Sequence, residues 1–365
     1  MLSFTAHRLR FVTEVRTPVE LNEHQGSAIR GALYHALLDR FCTNREAPEC
    51  ALCPLVAACP VAFLVSTLDP ASDRGRDVPR PFTVQPPLPG SGHPLEQGGR
   101  RFFRYEPGET MEFGLTLYAR ALQLFPYVVL AVTELERGGL GRRVPREEPG
   151  RPRPSWRRGT LAIREIWAEN PLTGEQKSVL RSGDRTVQVP DIPITHAQVL
   201  AVPVPPPGAV VTLHFRTPVR LTQRRALVKP DQFAFRPFFH RLMERLEALT
   251  RHFSDTPLVF DDPRGLIAAA EWVRVVENRL HWEEVWSYST RRRGGSPTSG
   301  LLGTVALQAE DWSPFWLYLL WGQFTHVGKD AVKGNGWYGV WSMEYGVGSR
   351  GVEERDAGCS STGHQ

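Results

Sequence analysis

Lysine is scarce in this chain. Of its 44 basic residues only Lys177, Lys229, Lys329 and Lys333 are lysine, and the rest are arginine. GC-rich coding produces an arginine excess as readily as nucleic-acid binding does, so only local clusters carry weight. These are Arg142–Arg143, Arg157–Arg158, Arg224–Arg225 and Arg291–Arg293. The net charge of +5 is modest for 365 residues and bears on association rather than fold. Long apolar runs are also missing. The best, Leu124 to Val132, is far short of a membrane span, so no membrane partner is expected. The first residues, MLSFTAHRLRF, lack a signal peptide's apolar core, which makes a cytoplasmic address the expectation. No H-E-x-x-H pattern is present, which argues against a zinc-dependent hydrolase. With 41% apolar and 23% charged residues, the composition is that of an ordinary globular protein, and the length favours two domains.

Cysteine is sparse too, with five in all, but four fall together at Cys42, Cys50, Cys53 and Cys59. The spacing C-x7-C-x2-C-x5-C suits tetrahedral thiolate ligation, so a structural zinc is expected, with an iron–sulfur cluster less so. Four thiolate ligands leave no open position, so such a metal would not be catalytic.

What the chain does have is concentrated near its C-terminal end. Trp321 to Val340 reads WGQFTHVGKDAVKGNGWYGV, or G-x3-H-x-G-K-x4-G-x-G-x-Y from Gly322 to Tyr338. An apolar helix is expected before it (Trp312 to Gln323) and a strand after it (Gly336 to Tyr345). The glycines Gly328, Gly334 and Gly336 would let backbone N–H groups crowd a phosphate, with Lys329 and Lys333 adding positive charge and His326 an imidazole. The pattern is neither G-x4-G-K-[ST] nor a dinucleotide fingerprint, so a polyanion such as RNA fits better than a nucleotide.

Taken in order, Phe4 to Arg16 reads as a strand and His24 to Phe41 as a helix carrying His35 beside its apolar stripe. The cysteine cluster and a Pro/Gly-rich connector (Asp69 to Gly99) follow. Next come a strand (Glu109 to Leu122), a helix (Phe125 to Glu136), a Pro/Arg-rich loop (Val144 to Arg158), and a strand at Thr160 to Ala168. A hairpin from Lys177 to Val189 is expected to turn near Gly183-Asp184. The order recurs after Pro203 to Gly208: a strand (Val210 to Leu221), a helix (Gln232 to Phe253), strands in Trp272 to Tyr288 and Leu301 to Ala309, then the helix, glycine loop and last strand. The two halves echo one another, EFGLTLYARALQLFPYVVLAVTELERGGLGRR against GLLGTVALQAEDWSPFWLYLLWGQFTHVGKD. The expectation is an α+β protein of tandem ferredoxin-like (RNA-recognition-motif-like, βαββαβ) domains with a small four-cysteine metal-knuckle insertion at 42–59. The domains would span 1–202 and 210–345, joined by a linker at 203–209, with a disordered tail at 346–365.

The stretches HFRTPVRL, FRPFFHRLMERLEAL, WSYSTRRRGGSPTSGLLG and THVGKDAVKGNGWYGV resemble CRISPR-associated precursor-crRNA-processing endoribonucleases of the RAMP superfamily. The resemblance implies metal-independent cleavage of CRISPR repeat RNA by 2′-hydroxyl attack, leaving a 2′,3′-cyclic phosphate. It places a catalytic histidine on the first helix, hence His35, and another at the phosphate-binding loop, hence His326, with Lys329 as the cation on the phosphorane. If His326 closes its helix, the dipole there would favour its protonated form. Gly328, Lys333, Gly334 and Gly336, with Arg291, Arg292 and Arg293, are the expected RNA contacts. The alternative is a non-catalytic RAMP subunit that holds guide RNA beside other CRISPR effector subunits.

Overall fold

The computed structural model describes residues 3–66, 78–88, 90–146, 153–289 and 294–342. Arg291, Arg292, Arg293 and the tail from 346 onward lie outside these residues.

In the first half, β1 (Thr5–Val15) alternates from His7 onward, turning Leu9, Phe11 and Val15 inward. After β2 (Val19–Asn22) comes α1 (Gln25–Phe41), which buries Ile29, Leu33, Ala36 and Leu37 on one face. The cysteine segment leads into the short α2 (Pro60–Val65). There follow β3 (Phe82–Gln85), β4 (His93–Gln97), β5 (Arg100–Tyr105), β6 (Thr110–Tyr118), α3 (Phe125–Gly138), β7 (Leu140–Arg146), β8 (Ser155–Gly159), β9 (Leu161–Asn170), β10 (Glu175–Arg181), β11 (Ile194–Thr195) and α4 (His196–Leu200). The main sheet has the order β10-β9-β1-β6-β3. Without β10, that is fourth, first, third, second, the order of a ferredoxin-like βαββαβ unit. Its register is pinned by inward cross-strand pairs, Leu9 on Leu115 and Phe11 on Phe113, the two phenyl rings stacked at 5.0 Å.

The second half repeats the plan. Its elements are β12 (Val210–Val219), β13 (Thr222–Gln223), β14 (Ala226–Leu227), α5 (Phe235–Phe253), α6 (Pro263–Ala269), β15 (Arg274–Glu283), β16 (Trp286–Ser289), β17 (Gly294–Pro297), β18 (Gly300–Gln308), α7 (Ser313–Thr325) and β19 (Tyr338–Ser342). The sheet β15-β18-β12-β19 is again second, third, first, fourth. The expected tandem ferredoxin-like fold is therefore the one found.

The two units share a buried seam. Phe4, Ala6, Tyr118, Ile194 and Val199 of the first half pack into the core of the second. This explains why α7 is apolar on nearly every side: one face meets α5, while Trp321 meets Phe4 at 4.9 Å and donates to His196. Tyr118 donates from its hydroxyl to the Phe324 carbonyl, tying β6 to the end of α7. Burial pushes that phenol up to about 12. Among the described residues, no helix is long and apolar enough to cross a membrane.

Three sequence expectations are corrected. The connector at 69–99 contains β3, the second strand of the first unit, a four-residue strand set between prolines. The Pro/Arg-rich loop and the glycines before it form the hairpin β7–β8. Finally, β10 pairs with β9 across a turn at 171–174, with Glu175 opposite Asn170. The chain does turn again at Gly183-Asp184, where Gln188 donates to the Val179 carbonyl, but no strand forms on the return.

Candidate active site

The glycine loop runs from the end of α7 to the start of β19. His326 closes α7 with φ 61° and ψ 174°, and its N–H donates to the Gly322 carbonyl. From there the loop packs its glycines closely against protein, with Lys329 left exposed. A Cβ on Gly336 would lie 1.8 Å from the Val327 carbonyl oxygen, and one on Gly328 2.6 Å from that of Arg220. Gly334 sits against Pro86 and the Val84 carbonyl of the first unit, and Gly26, in the first turn of α1, against the Lys333 carbonyl. The loop's N–H groups are largely spent as well. Val327 donates to Gly336, Lys329 to Arg220, Lys333 to Asp330, Gly334 to Ala331 and Gly336 to Pro218. The phosphate cradle expected at Gly328, Gly334 and Gly336 is thus a docking surface. The glycines are there because carbonyls approach too closely for any side chain.

His326 is fully buried. Its Nδ1–H donates to the Asn335 carbonyl at 3.2 Å, which leaves Nε2 to accept from the Gln85 amide of β3 at 3.4 Å. Its ring stacks on Trp337. Burial, then the nearby Arg245, lower its pKa to about 3, with Arg8 adding to the effect. This reverses the expectation of a protonated imidazole at a helix C-terminus. The carbonyls there are already taken, Phe324 by Tyr118 and Thr325 by Arg245, and the cation is Arg245 itself. With its ring buried and both nitrogens engaged by protein, His326 has no open face toward a substrate in this structure.

A histidine not singled out from the sequence stands on the other side of the same loop. His24, the residue before α1, donates from Nε2 to the Asn335 side-chain oxygen at 2.5 Å. The Asn335 amide nitrogen donates to Thr298, which fixes its orientation. Burial lowers the His24 pKa to about 4; Asn335 opposes this and Lys333 adds to it. His24, Asn335, His326 and Gln85 thus form one buried chain across the seam. The only sequence hint was position: a polar residue ahead of a helix, and an asparagine between two glycines.

Three expected site residues do reach the outside. His35 lies on the solvent face of α1, its ring edge-on to Tyr34. Lys329 is exposed on the loop. Lys333 is half-buried and pairs with Asp330 at 2.8 Å, beside the start of α1. His35 and His326 are not brought together. One is exposed nine residues along α1 from Gly26, roughly 14 Å of helix rise, and the other is interior. The hairpin β16–β17, whose strands flank Arg291–Arg293, stands on the same ground, since Ser287 and Ser27 of α1 share a hydrogen bond of 2.8 Å.

Cys42 ends α1, Cys53 accepts from the Asn44 amide, and Cys59 caps α2 by accepting from the Ala62 N–H. All four cysteines are half-exposed free thiols. Among the described residues no three His, Cys, Asp or Glu side chains gather to hold a metal ion. The thiols as placed therefore do not form a ligand set.

Two ferredoxin-like units clasped by a glycine-rich loop define a RAMP-type architecture. Residues 4–192 match the family model AF_1859_N, an N-terminal domain, and residues 213–338 match CRISPR-associated endoribonuclease Cas6. The chain thus carries, over residues 213–338, the domain of the CRISPR-associated RAMP-type Cas6 endoribonucleases. Among solved structures it is similar in fold to a Cas6-RT-Cas1–Cas2 complex, at 12% identity and a TM-score of 0.55, covering 93% of this chain. The match takes in only 46% of that chain, so this protein spans about half its length. It is also similar to the product complex of Cas6 (TTHB231) from Thermus thermophilus, at 15% identity and a TM-score of 0.50, covering 94% of this chain and 100% of that one. No curated protein matches it.

Proposed function

We propose that the protein cleaves CRISPR repeat RNA in precursor transcripts to yield guide RNAs. The observation that carries this reading is the Cas6 match over residues 213–338, which spans the whole glycine loop. The geometry supports a division of labour along α1. The 17-residue helix begins at Gln25, where its buried first turn packs under the glycine loop and sets Lys333 beside it. Further along, exposed His35 serves as the proton-transfer group, the role that an imidazole within reach of substrate can fill. Lys329 supplies charge to the phosphorane. The reaction is metal-independent. The 2′-hydroxyl loses its proton and attacks the adjacent phosphorus, and the 5′-oxygen leaves with a proton, giving a 2′,3′-cyclic phosphate and a 5′-hydroxyl.

His326 enters this scheme as a positioning residue that holds the loop to β3. Its burial favours a second reading, an RNA-holding subunit without cleavage, because it removes one of two expected proton carriers. The deciding experiment is single-turnover cleavage of repeat RNA in EDTA. The proposal requires a cyclic phosphate on the upstream fragment, and no cutting of a substrate with a 2′-deoxy sugar at the scissile position. Tight binding of repeat RNA with no product would leave the holding subunit.

A further inference from the structure

Away from α1, the start of α5 and the hairpin β13–β14 enclose a cavity of about 250 Å³ lined by Thr222, Gln223, Arg224, Arg236, Pro237 and His240, with Arg241. The turn of that hairpin is two residues long, Arg224-Arg225, with φ 48° and 69°. Positive φ at both central positions is the condition of a type I′ turn, which favours Asn-Gly or Gly-Gly. Two long side chains in left-handed backbone are a poor choice for the fold alone. They are both exposed, and no acceptor is seen for either among the described residues.

The other charges at the cavity are partly committed. Arg241 holds the Thr222 carbonyl and pairs with Glu244 at 2.6 Å, so it braces the hairpin. Arg236 reaches Glu271 at 3.0 Å but keeps a buried Nε with no acceptor among the described residues. His240 lies 3.6 Å from Glu244. Three arginines and a histidine against two carboxylates leave the cavity positive. The first turn of α5 adds backbone donors, because Ala234 provides no side-chain cap. The hairpin is also tethered to the glycine loop: the Lys329 backbone N–H donates to the Arg220 carbonyl, two residues before Thr222.

We infer that this cavity is a phosphate subsite for the RNA backbone, taking a phosphodiester of the strand that runs past Lys329. Arg224 and Arg225 reach out from the turn, and Arg236 lines the floor. The inference rests on the proposed RNA-processing function. Arg224→Gly/Arg225→Gly tests it well, because glycine suits both backbone positions and the fold should not suffer. Binding of labelled repeat RNA is measured from low to high salt, with Arg236→Gln as a second variant that leaves the turn intact. Both variants should bind several-fold more weakly at physiological salt. The slope of log affinity against log salt should fall by roughly 0.7–0.9 for each phosphate that the variant no longer engages. Melting temperature should not drop in the glycine variant. Unchanged affinity and slope in both variants, while the wild type binds and cuts, overturns the subsite and leaves the function standing. A loss of affinity that comes with a lowered melting temperature in the glycine variant assigns the turn to the fold, and also overturns it. Failure of the wild type to bind repeat RNA overturns both.

Discussion

Gly26 offers a sharp test of how the two units are joined. It lies inside α1, where replacing glycine by alanine normally stabilises a helix by about 1 kcal/mol. Yet a Cβ there would stand 2.0 Å from the Lys333 carbonyl oxygen and 3.0 Å from its carbon. The obstacle is backbone, held by the Lys333–Asp330 and Gly334–Ala331 hydrogen bonds, so it cannot swing aside as a side chain would. Gly31, in the same helix, has nothing within 4 Å of its would-be Cβ. The propensity gain is common to Gly26→Ala and Gly31→Ala, so the difference between them isolates the clash. Overpacking of this kind costs about 1–3 kcal/mol. Urea unfolding of the two variants should therefore differ by about that amount, with Gly31→Ala above wild type and Gly26→Ala below it. Gly26→Ala should also slow repeat cleavage, because the loop and Lys333 must back away from α1. If Gly26→Ala proves as stable as Gly31→Ala, the loop does not sit on α1 as described.

His35→Ala should slow single-turnover cleavage by about 10²–10⁴-fold while leaving repeat affinity nearly unchanged; a wild-type rate would remove His35 from the chemistry. His24 and His326 have pKa values of about 4 and about 3, below the unfolded value, so the folded state favours their neutral forms. The stability they contribute is present above about pH 6.5 and is lost as pH falls toward 4 and 3. Urea midpoints should decline over that window, and less steeply in His24→Asn and His326→Asn; identical pH profiles would refute the buried neutral pair. The cysteine spacing keeps a structural zinc as a proposal, although the loop would have to draw its thiols together. Metal analysis should then find about one zinc per chain, absent from Cys50→Ser/Cys53→Ser, with EDTA leaving cleavage intact in a short assay; a metal-free native protein refutes it.

The fold was legible where periodicity is long. β1, α1, α3, α5 and α7 show themselves by alternation or by helical stripes of ten residues or more, and the repeated order of the halves gives the tandem units. Short strands escaped. Phe82–Gln85 has four residues, all buried and set among prolines, so neither length nor alternation marks it. The β7–β8 hairpin carries Pro145 and arginines on exposed positions and reads as loop. In the candidate site, Lys329 was picked out by the loop motif and His35 by the family resemblance, and both are exposed. His24 and Asn335 were not, because their importance comes from a hydrogen bond between positions 311 residues apart in the chain.

The glycine loop shows why a motif's chemistry can be misread while its location is right. Glycines beside a lysine and a histidine suggest backbone donors turned toward phosphate, but the same residues serve equally when backbone must approach backbone. The two uses are told apart by where the donors go, and here Val327, Lys329, Lys333, Gly334 and Gly336 all donate to protein carbonyls. With those groups committed, the charged side chains that remain outside are Lys329 and the arginine turn of β13–β14, with half-buried Lys333, and on the proposed function these are what would meet phosphate. His326 then matters through geometry. It holds the strained end of α7 against β3, so Lys329, three residues on, keeps its place. On this view, loss of the imidazole should act on substrate affinity through Lys329 rather than on proton transfer.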